Sequence, residues 1–188
     1  MYQICVSGAA KGISVEESKD LALKIGQEIA HAGHTLMTGA TIGLPNYAAE
    51  GYKKAGGKMS LGISPASSKA EHILKYNLPT KYYDCILYSG MHYVGRDSLL
   101  ITSSDAVISI GGRLGTLHEF TISIESDTPI GFLEGSGGIE QEINKLIELA
   151  KPLRNDAFIY FSKDPKALVT KITKHLDQKF SEYKDIYY

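Results

Sequence analysis

The chain has 188 residues, 43% of them hydrophobic, and a formal net charge of −1. That length and apolar content predict one globular domain, residues 1–188, with a full core. A near-neutral chain lacks the positive field that gathers nucleic acid or an anionic membrane, so neither is expected as a partner. The N-terminal MYQICVSGAAKG has no basic n-region, and no apolar segment approaches the roughly 18–20 residues that cross a bilayer. A cytoplasmic location is expected. The two cysteines, Cys5 and Cys85, sit inside apolar runs and read as buried reduced thiols.

In chain order, Tyr2–Ser7 is the first predicted strand, followed by the loop Gly8-Ala9-Ala10-Lys11-Gly12. Ser14 with Glu17 three residues later makes a capping box, and Gly33 supplies a stop. Between them Leu21, Ile25 and Ile29 give a helix with one buried stripe. His34–Thr38 reads as a second strand. Leu44–Ala55 reads as a helix with Pro45 near its start and Gly56-Gly57 after its end. Lys58–Ser64 is a third strand, stopped by Pro65, and the polar Ala66–Lys81 predicts an irregular connection with one helical turn.

Further on, Cys85–Tyr88 is a strand, Arg96–Ser104 a helix, Ala106–Ile110 a strand and Thr116–Ser126 a helix. Ile130–Leu133 is the next strand, and a helix runs from about Ile139 to Ala150. Ala157–Phe161 is the last strand, and Asp164-Pro165 is a cap-plus-first-position start for a final helix. The Tyr-rich tail, Phe180–Tyr188, reads as packing or interface. Alternating strands and helices predict a doubly wound, Rossmann-like α/β fold: a mostly parallel sheet with helices on both faces.

Ligands of such sheets bind beyond the carboxyl ends of the strands, at the topological switch point. Here those ends are Ser7-Gly8, Thr38-Gly39, Ser64, Ser89-Gly90, Gly111-Gly112 and Glu134, most of them small. Small residues let backbone approach a ligand closely, and hydroxyls can donate to phosphate or ribose. The first turn is not G-x-G-x-x-G, and Thr38-Gly39 stands where a dinucleotide fold places an acidic residue for the ribose. The phosphate loop G-x-x-x-x-G-K-[ST] is absent as well. A mononucleotide fits better.

The densest signal lies between Val94 and Phe120. There the β-branched Ala106–Ile110 run ends in Gly111-Gly112, and Gly115-Thr116 opens a helix. Backbone N–H groups and the helix dipole converge at such a turn, which makes Gly111, Gly112, Arg113, Leu114, Gly115 and Thr116 candidate phosphate ligands. Ser7, Gly8, Thr38 and Gly39 are candidates on the neighbouring strand ends. Arg96 precedes this turn and Glu119 lies just inside the helix. Thr116 and Glu119 are also spaced as a capping box, in which Glu119 would fold back on its own helix. His92 and His118 flank the stretch without metal-ligand spacing, so no zinc site is expected.

With these residues the chain resembles the Lonely Guy (LOG) family of nucleotide-binding proteins, often labelled possible lysine decarboxylases. The resemblance rests on Gly39-x-x-x-Gly43-Leu44, on Ala48-Ala49 before Gly56-Gly57, and on Gly62-Ile63-x-Pro65. It rests further on Arg96 nine residues before Asp105-Ala106, and on Gly115-Thr116-x-x-Glu119. It implies hydrolysis of the N-glycosidic bond of a nucleoside 5′-monophosphate to base and ribose 5-phosphate. Arg96 and Glu119 would be the catalytic residues, no metal or organic cofactor is implied, and the chain would form a homodimer. Asp97 departs from the family's Arg-Lys pair; Gly111 and Arg113 fall on the proline and second glycine of its P-G-G-x-G-T-x-x-E motif. Leu44-Pro45-Asn46 stands at the usual Leu-Met-Gly. Arg113 either restores the lost cation or faces solvent. These departures keep open a second reading, a sensor or carrier that holds a nucleotide or cofactor without cleaving it. A DNA-processing module is a third, disfavoured by the near-zero charge. A decarboxylase is disfavoured because nothing marks a pyridoxal phosphate site.

Overall fold

The computed structural model describes residues 1–149, 151 and 158–183. Seven strands, β1 (Gln3–Gly8), β2 (Thr35–Thr38), β3 (Ser60–Ser64), β4 (Cys85–Tyr88), β5 (Ala106–Ile110), β6 (Ile130–Leu133) and β7 (Ile159–Ser162), form one sheet. Every pairing is parallel, in the order β4-β3-β2-β1-β5-β6-β7. The helices are α1 (Ile13–His31), α2 (Leu44–Lys54), α3 (Lys69–Leu74), α4 (His92–Thr102), α5 (Leu114–Glu125), α6 (Ile143–Leu149) and α7 (Pro165–Lys179).

The period-2 alternation of the strands sorts the core into two layers. Ile4 and Val6 of β1, with Ala106, Ile108 and Ile110 of β5, pack against Ile25 of α1, Ala48 of α2 and Leu168 of α7. Cys5 and Val107 face the other way, onto Leu100 of α4, Phe120 of α5 and Ile143 of α6. This is the doubly wound sheet that the alternating pattern predicts. The strand order runs outward in both directions from β1 and β5, so the loops that leave these two strands diverge. A crevice opens between them at the carboxyl edge of the sheet.

Several boundaries differ from the sequence reading. Helix α1 starts at Ile13 with Gly12 as its N-cap and no side-chain cap bond, so Ser14 lies inside the helix and forms no capping box with Glu17. Helix α4 starts at His92, four residues before Arg96, which places Arg96 in its second turn. Helix α5 starts at Leu114 rather than Thr116. A 3-10 turn, Gly138–Glu142, precedes α6. Ala150 and Ala157, at the expected ends of a helix and a strand, lie outside the described residues, as do residues 184–188 of the tail. Phe180 stacks on Tyr2, with ring centroids 5.9 Å apart.

Cys5 is buried, but Cys85 is exposed. The expectation of two buried thiols fails at Cys85 because β4 is an edge strand whose alternate side chains, Cys85 and Leu87, are exposed. The irregular connection after β3 does hold one short helix, α3, capped by the Ser68 side chain on the Glu71 amide. His72 of α3 is fully buried and fixes this connection, with Nδ1 2.8 Å from Ser64 Oγ and Nε2 3.0 Å from the Pro79 carbonyl oxygen.

Helices α1 and α2 approach through glycine. A Cβ on Gly26 would lie 1.9 Å from the Ala48 carbonyl oxygen and 2.7 Å from the Tyr52 amide. Gly26→Ala therefore separates two opposed effects. Alanine adds helix propensity of about 1 kcal/mol, whereas overpacking against rigid backbone costs about 1–3 kcal/mol. Net destabilisation of about 1–2 kcal/mol in urea unfolding is the expected outcome; a stabilised variant would show that the two helices part freely.

Candidate functional site

Three helices start at the crevice. α1, α2 and α5 follow β1, β2 and β5 directly, and their N-caps, Gly12, Gly43 and Arg113, make no side-chain cap bond. By contrast α3 and α7 are capped by Ser68 and Asp164. First-turn N–H groups left uncapped by side chains are good partners for an anion. The cleft they border has a volume of about 370 Å³, within the range of small-molecule sites. Lys11 and Arg113 stand at its rim, both exposed, and neither forms an ion pair with a described residue.

The floor is built from β1, α4 and α5. Alternation along β1 points Ser7 to the same face as Cys5, the face covered by α5, and there Ser7 Oγ donates to Glu119 Oε2. Glu119 thus points across the sheet edge to β1, not back to its own helix start. Its capping-box geometry fails because α5 begins two residues earlier than expected, which takes Thr116 out of the cap position. Burial, and next the nearby Asp97 carboxylate, push the Glu119 carboxyl up to about 7. Burial likewise holds the Cys5 thiol well above its usual range, so it is an inert part of the core.

Arg96 is 4% exposed, on the cleft-facing side of α4. Its Nη1 donates to the Ile63 carbonyl oxygen at 3.1 Å. Its Nε lies 3.1 Å from Asp97 Oδ1 but makes no hydrogen bond, and Nη2 has no hydrogen-bond partner among the described residues. Gly39 makes room for the guanidinium: a Cβ there would lie 1.7 Å from Arg96 Nη1. Tyr93, one turn earlier on α4, places its ring centroid 5.9 Å from Arg96 Cζ. The other oxygen of Asp97, Oδ2, lies 3.1 Å from His118 Nδ1 of α5.

Most of the residues singled out from the sequence meet here. Ser7, Gly8, Gly39, Arg96, Gly112, Arg113, Gly115, Thr116 and Glu119 all line the cleft. Three do not. Thr38 is fully buried, with Oγ1 donating to the Tyr83 hydroxyl and accepting from the Ala40 amide, so it shapes the turn after β2 instead. Leu114 is 80% exposed. Gly111 turns its amide away to Ser136 Oγ, at 2.7 Å, and adopts φ 58°. A proline there could neither reach that φ nor donate that bond, which explains the departure from the family motif at this position. Arg113 faces the cleft rim, where it can serve as a cation. The residues less visible in the sequence are Thr41, Tyr93 and Asp97. Tyr93 and Asp97 join the site because α4 starts early and presents residues 93, 96 and 97 on one side.

The raised Glu119 carboxyl has a consequence for stability. Its proton is held more tightly in the folded chain than at the ordinary value of 4.5, so between about pH 4.5 and 7 the folded state binds more protons than the unfolded state. Stability contributed by this group is therefore present at low pH and lost as pH rises through that window. Glu119→Gln cannot ionise. Its urea-unfolding free energy should stay flatter from pH 4.5 to 7.5, and parallel profiles for the two proteins would contradict the burial assigned to this carboxyl.

A parallel sheet with a cleft at its switch point, bordered by helix starts that no side chain caps, defines a Rossmann-like α/β protein. Residues 1–169 match the SLOG cluster4 family model, and the chain belongs to that family, within the LOG-like superfamily that the motif resemblance implies. An uncharacterized protein of Archaeoglobus fulgidus is 31% identical over 134 residues, covering 71% of this chain and 81% of the relative. Among solved structures, TM1055 superposes with a TM-score of 0.78 at 23% identity, covering 93% of this chain and 99% of the other. The molybdenum cofactor carrier protein from Chlamydomonas reinhardtii has a TM-score of 0.74 at 22% identity, covering 92% and 96% of the two chains. These likenesses place the fold. Among the described residues no group of His, Cys, Asp and Glu is arranged to hold a metal ion, and no helix is long and apolar enough to cross a membrane.

Proposed function

We propose that the cleft binds a nucleoside 5′-monophosphate and hydrolyses its N-glycosidic bond. The observation that carries this reading is the placement of Glu119, a carboxyl at about 7 on the cleft floor, held by Ser7 and lining the same cleft as the first turn of α5, whose N-cap makes no side-chain bond. The phosphate sits on the first-turn amides of α5 and the Thr116 hydroxyl, with Lys11 and Arg113 at the rim. That places the sugar toward Arg96 and Glu119. Ionised Glu119 takes a proton from water as the water oxygen bonds to C1′ and the C1′–N bond breaks with its electron pair on the base. Glu119 then returns the proton to the base nitrogen. The products are free base and ribose 5-phosphate. A group titrating near the working pH suits both halves of this exchange.

A second reading has its own support. Asp97 sets a negative charge against Arg96 where the resembled family carries lysine, which weakens the site for a developing transition state. A carrier that holds a phosphorylated heterocycle without cleaving it tolerates that loss, and one solved neighbour is a molybdenum cofactor carrier. On both readings we propose a cytoplasmic homodimer. The exposed Met91, just before α4, and Val94 of α4 form the proposed contact.

Incubation with AMP and other nucleoside monophosphates, with assay of free base and ribose 5-phosphate, separates the two. The hydrolase reading expects turnover that falls by about 10²–10⁴-fold in Glu119→Gln, the usual worth of an acid–base group, and to a similar extent in Arg96→Ala. Saturable binding with no base released from any nucleotide would replace the hydrolase with the carrier.

A further inference from the structure

We propose that Asp97 and His118 are positioning residues that set how much of the Arg96 charge an anionic ligand can use. The inference rests on the nucleotide reading of the cleft and adds a pH response to it. One carboxylate is shared by an arginine and a histidine. Asp97 Oδ1 is 3.1 Å from Arg96 Nε, and Oδ2 is 3.1 Å from His118 Nδ1. The three side chains step outward from the cleft, 5% exposed at Arg96, 9% at Asp97 and 37% at His118. Arg96 is a permanent charge, whereas histidine changes charge in the physiological range.

The consequence follows from Coulomb's law in a poorly screened site. With His118 neutral, Asp97 is matched one to one by Arg96, and the floor offers an incoming phosphate little net charge. With His118 protonated, two cations share one carboxylate, and Arg96 is left with positive charge to spare. The guanidinium is already prepared to use it. Nη1 is anchored on Ile63, while Nε is buried with no hydrogen bond and Nη2 has no protein partner among the described residues. A ligand oxygen is the natural partner for both.

The other ionisable groups around this pair come from each neighbouring element. Glu119 lies on α5, Tyr93 on α4, Cys5 on β1 and Tyr83 ahead of β4, with Lys11 and Arg113 at the rim. Burial keeps the Cys5 thiol and the Tyr83 and Tyr93 hydroxyls above their usual ranges, out of the neutral window. Glu119 does titrate there, so the test is run on a Glu119→Gln background, which also slows cleavage of the probe.

AMP affinity is measured by calorimetry from pH 5.5 to 8 in that background, with and without His118→Gln and Asp97→Asn. The AMP phosphate titrates alike in every protein and cancels in the ratios. Removing His118 should weaken AMP on the order of tenfold at pH 5.5, a coupling of about 1.4 kcal/mol, and leave it nearly unchanged at pH 8. Asp97→Asn should bind AMP more tightly at pH 8 and lose the dependence on His118. A ratio that stays flat with pH overturns the proposal. The Arg96 Nε resonance in the ligand-free protein gives a second readout. It should move across this pH range with His118 in place and stand still in His118→Gln; an Arg96 signal indifferent to His118 overturns the coupling. If AMP binds none of these proteins at any pH, the nucleotide reading falls, and the Arg96 resonance still decides the pairing.

Discussion

The structure depends on β1 lying between β2 and β5, because the sheet grows away from that pair of interfaces in both directions. Crossover connections on opposite faces send the chain outward on either side, and the loops leaving β1 and β5 have to diverge. That divergence creates the cleft without any side chain to prop it open. It also aims the starts of α1 and α5 at the same space, so the partial positive charge of two helix termini is a by-product of connectivity. Everything charged at the floor is then arranged against this fixed field.

The floor is a costly place. Arg96, Asp97 and Glu119 lie close together away from bulk water, where an unpaired charge is strongly disfavoured. The chain meets the cost in three ways. Arg96 and Asp97 sit side by side, Glu119 carries a raised carboxyl that stays protonated for part of the population near neutral pH, and His118 shares Asp97 from the outside. The hydroxyl of Ser7 and the carbonyl of Ile63 supply the remaining fixed contacts. Such a site is preorganised but left with spare donors, which is the state in which binding a polar ligand is most favourable. A raised carboxyl next to a buried arginine is also a recurring signature of functional clefts.

Much of this was legible before any coordinates. The alternation of short apolar runs with periodic helices carries the parallel doubly wound sheet. Glycine after the fifth strand, with arginine before it and glutamate after it, carries most of the cleft. Legibility stopped where side chains act at long range in sequence. Thr38 looks like a strand-end ligand, yet its hydroxyl is taken by Tyr83, forty-five residues away. Gly111 looks like a cradle amide, yet Ser136 has it. Cys85 looks buried because its neighbours are apolar, and only its place on the edge strand exposes it. Helix starts escape the sequence for a local reason, since Gly12, Met91 and Arg113 make no side-chain cap bond that would mark them.

By itself the sequence determined the fold class, the family and most of the residues that line the cleft, because hydrophobic period and glycine placement act over a few neighbouring residues. Tertiary structure decided what Glu119 touches. The sequence offers Thr116, three residues away, as the partner of that carboxylate; the structure gives it Ser7, 112 residues away. The choice turned on two things no local pattern carries: the start of α5 at Leu114, and the alternation that points Ser7 onto the α5 face of the sheet. The same packing of α4 against α5 brought Asp97 to His118 and made a departure from the family motif into part of the site.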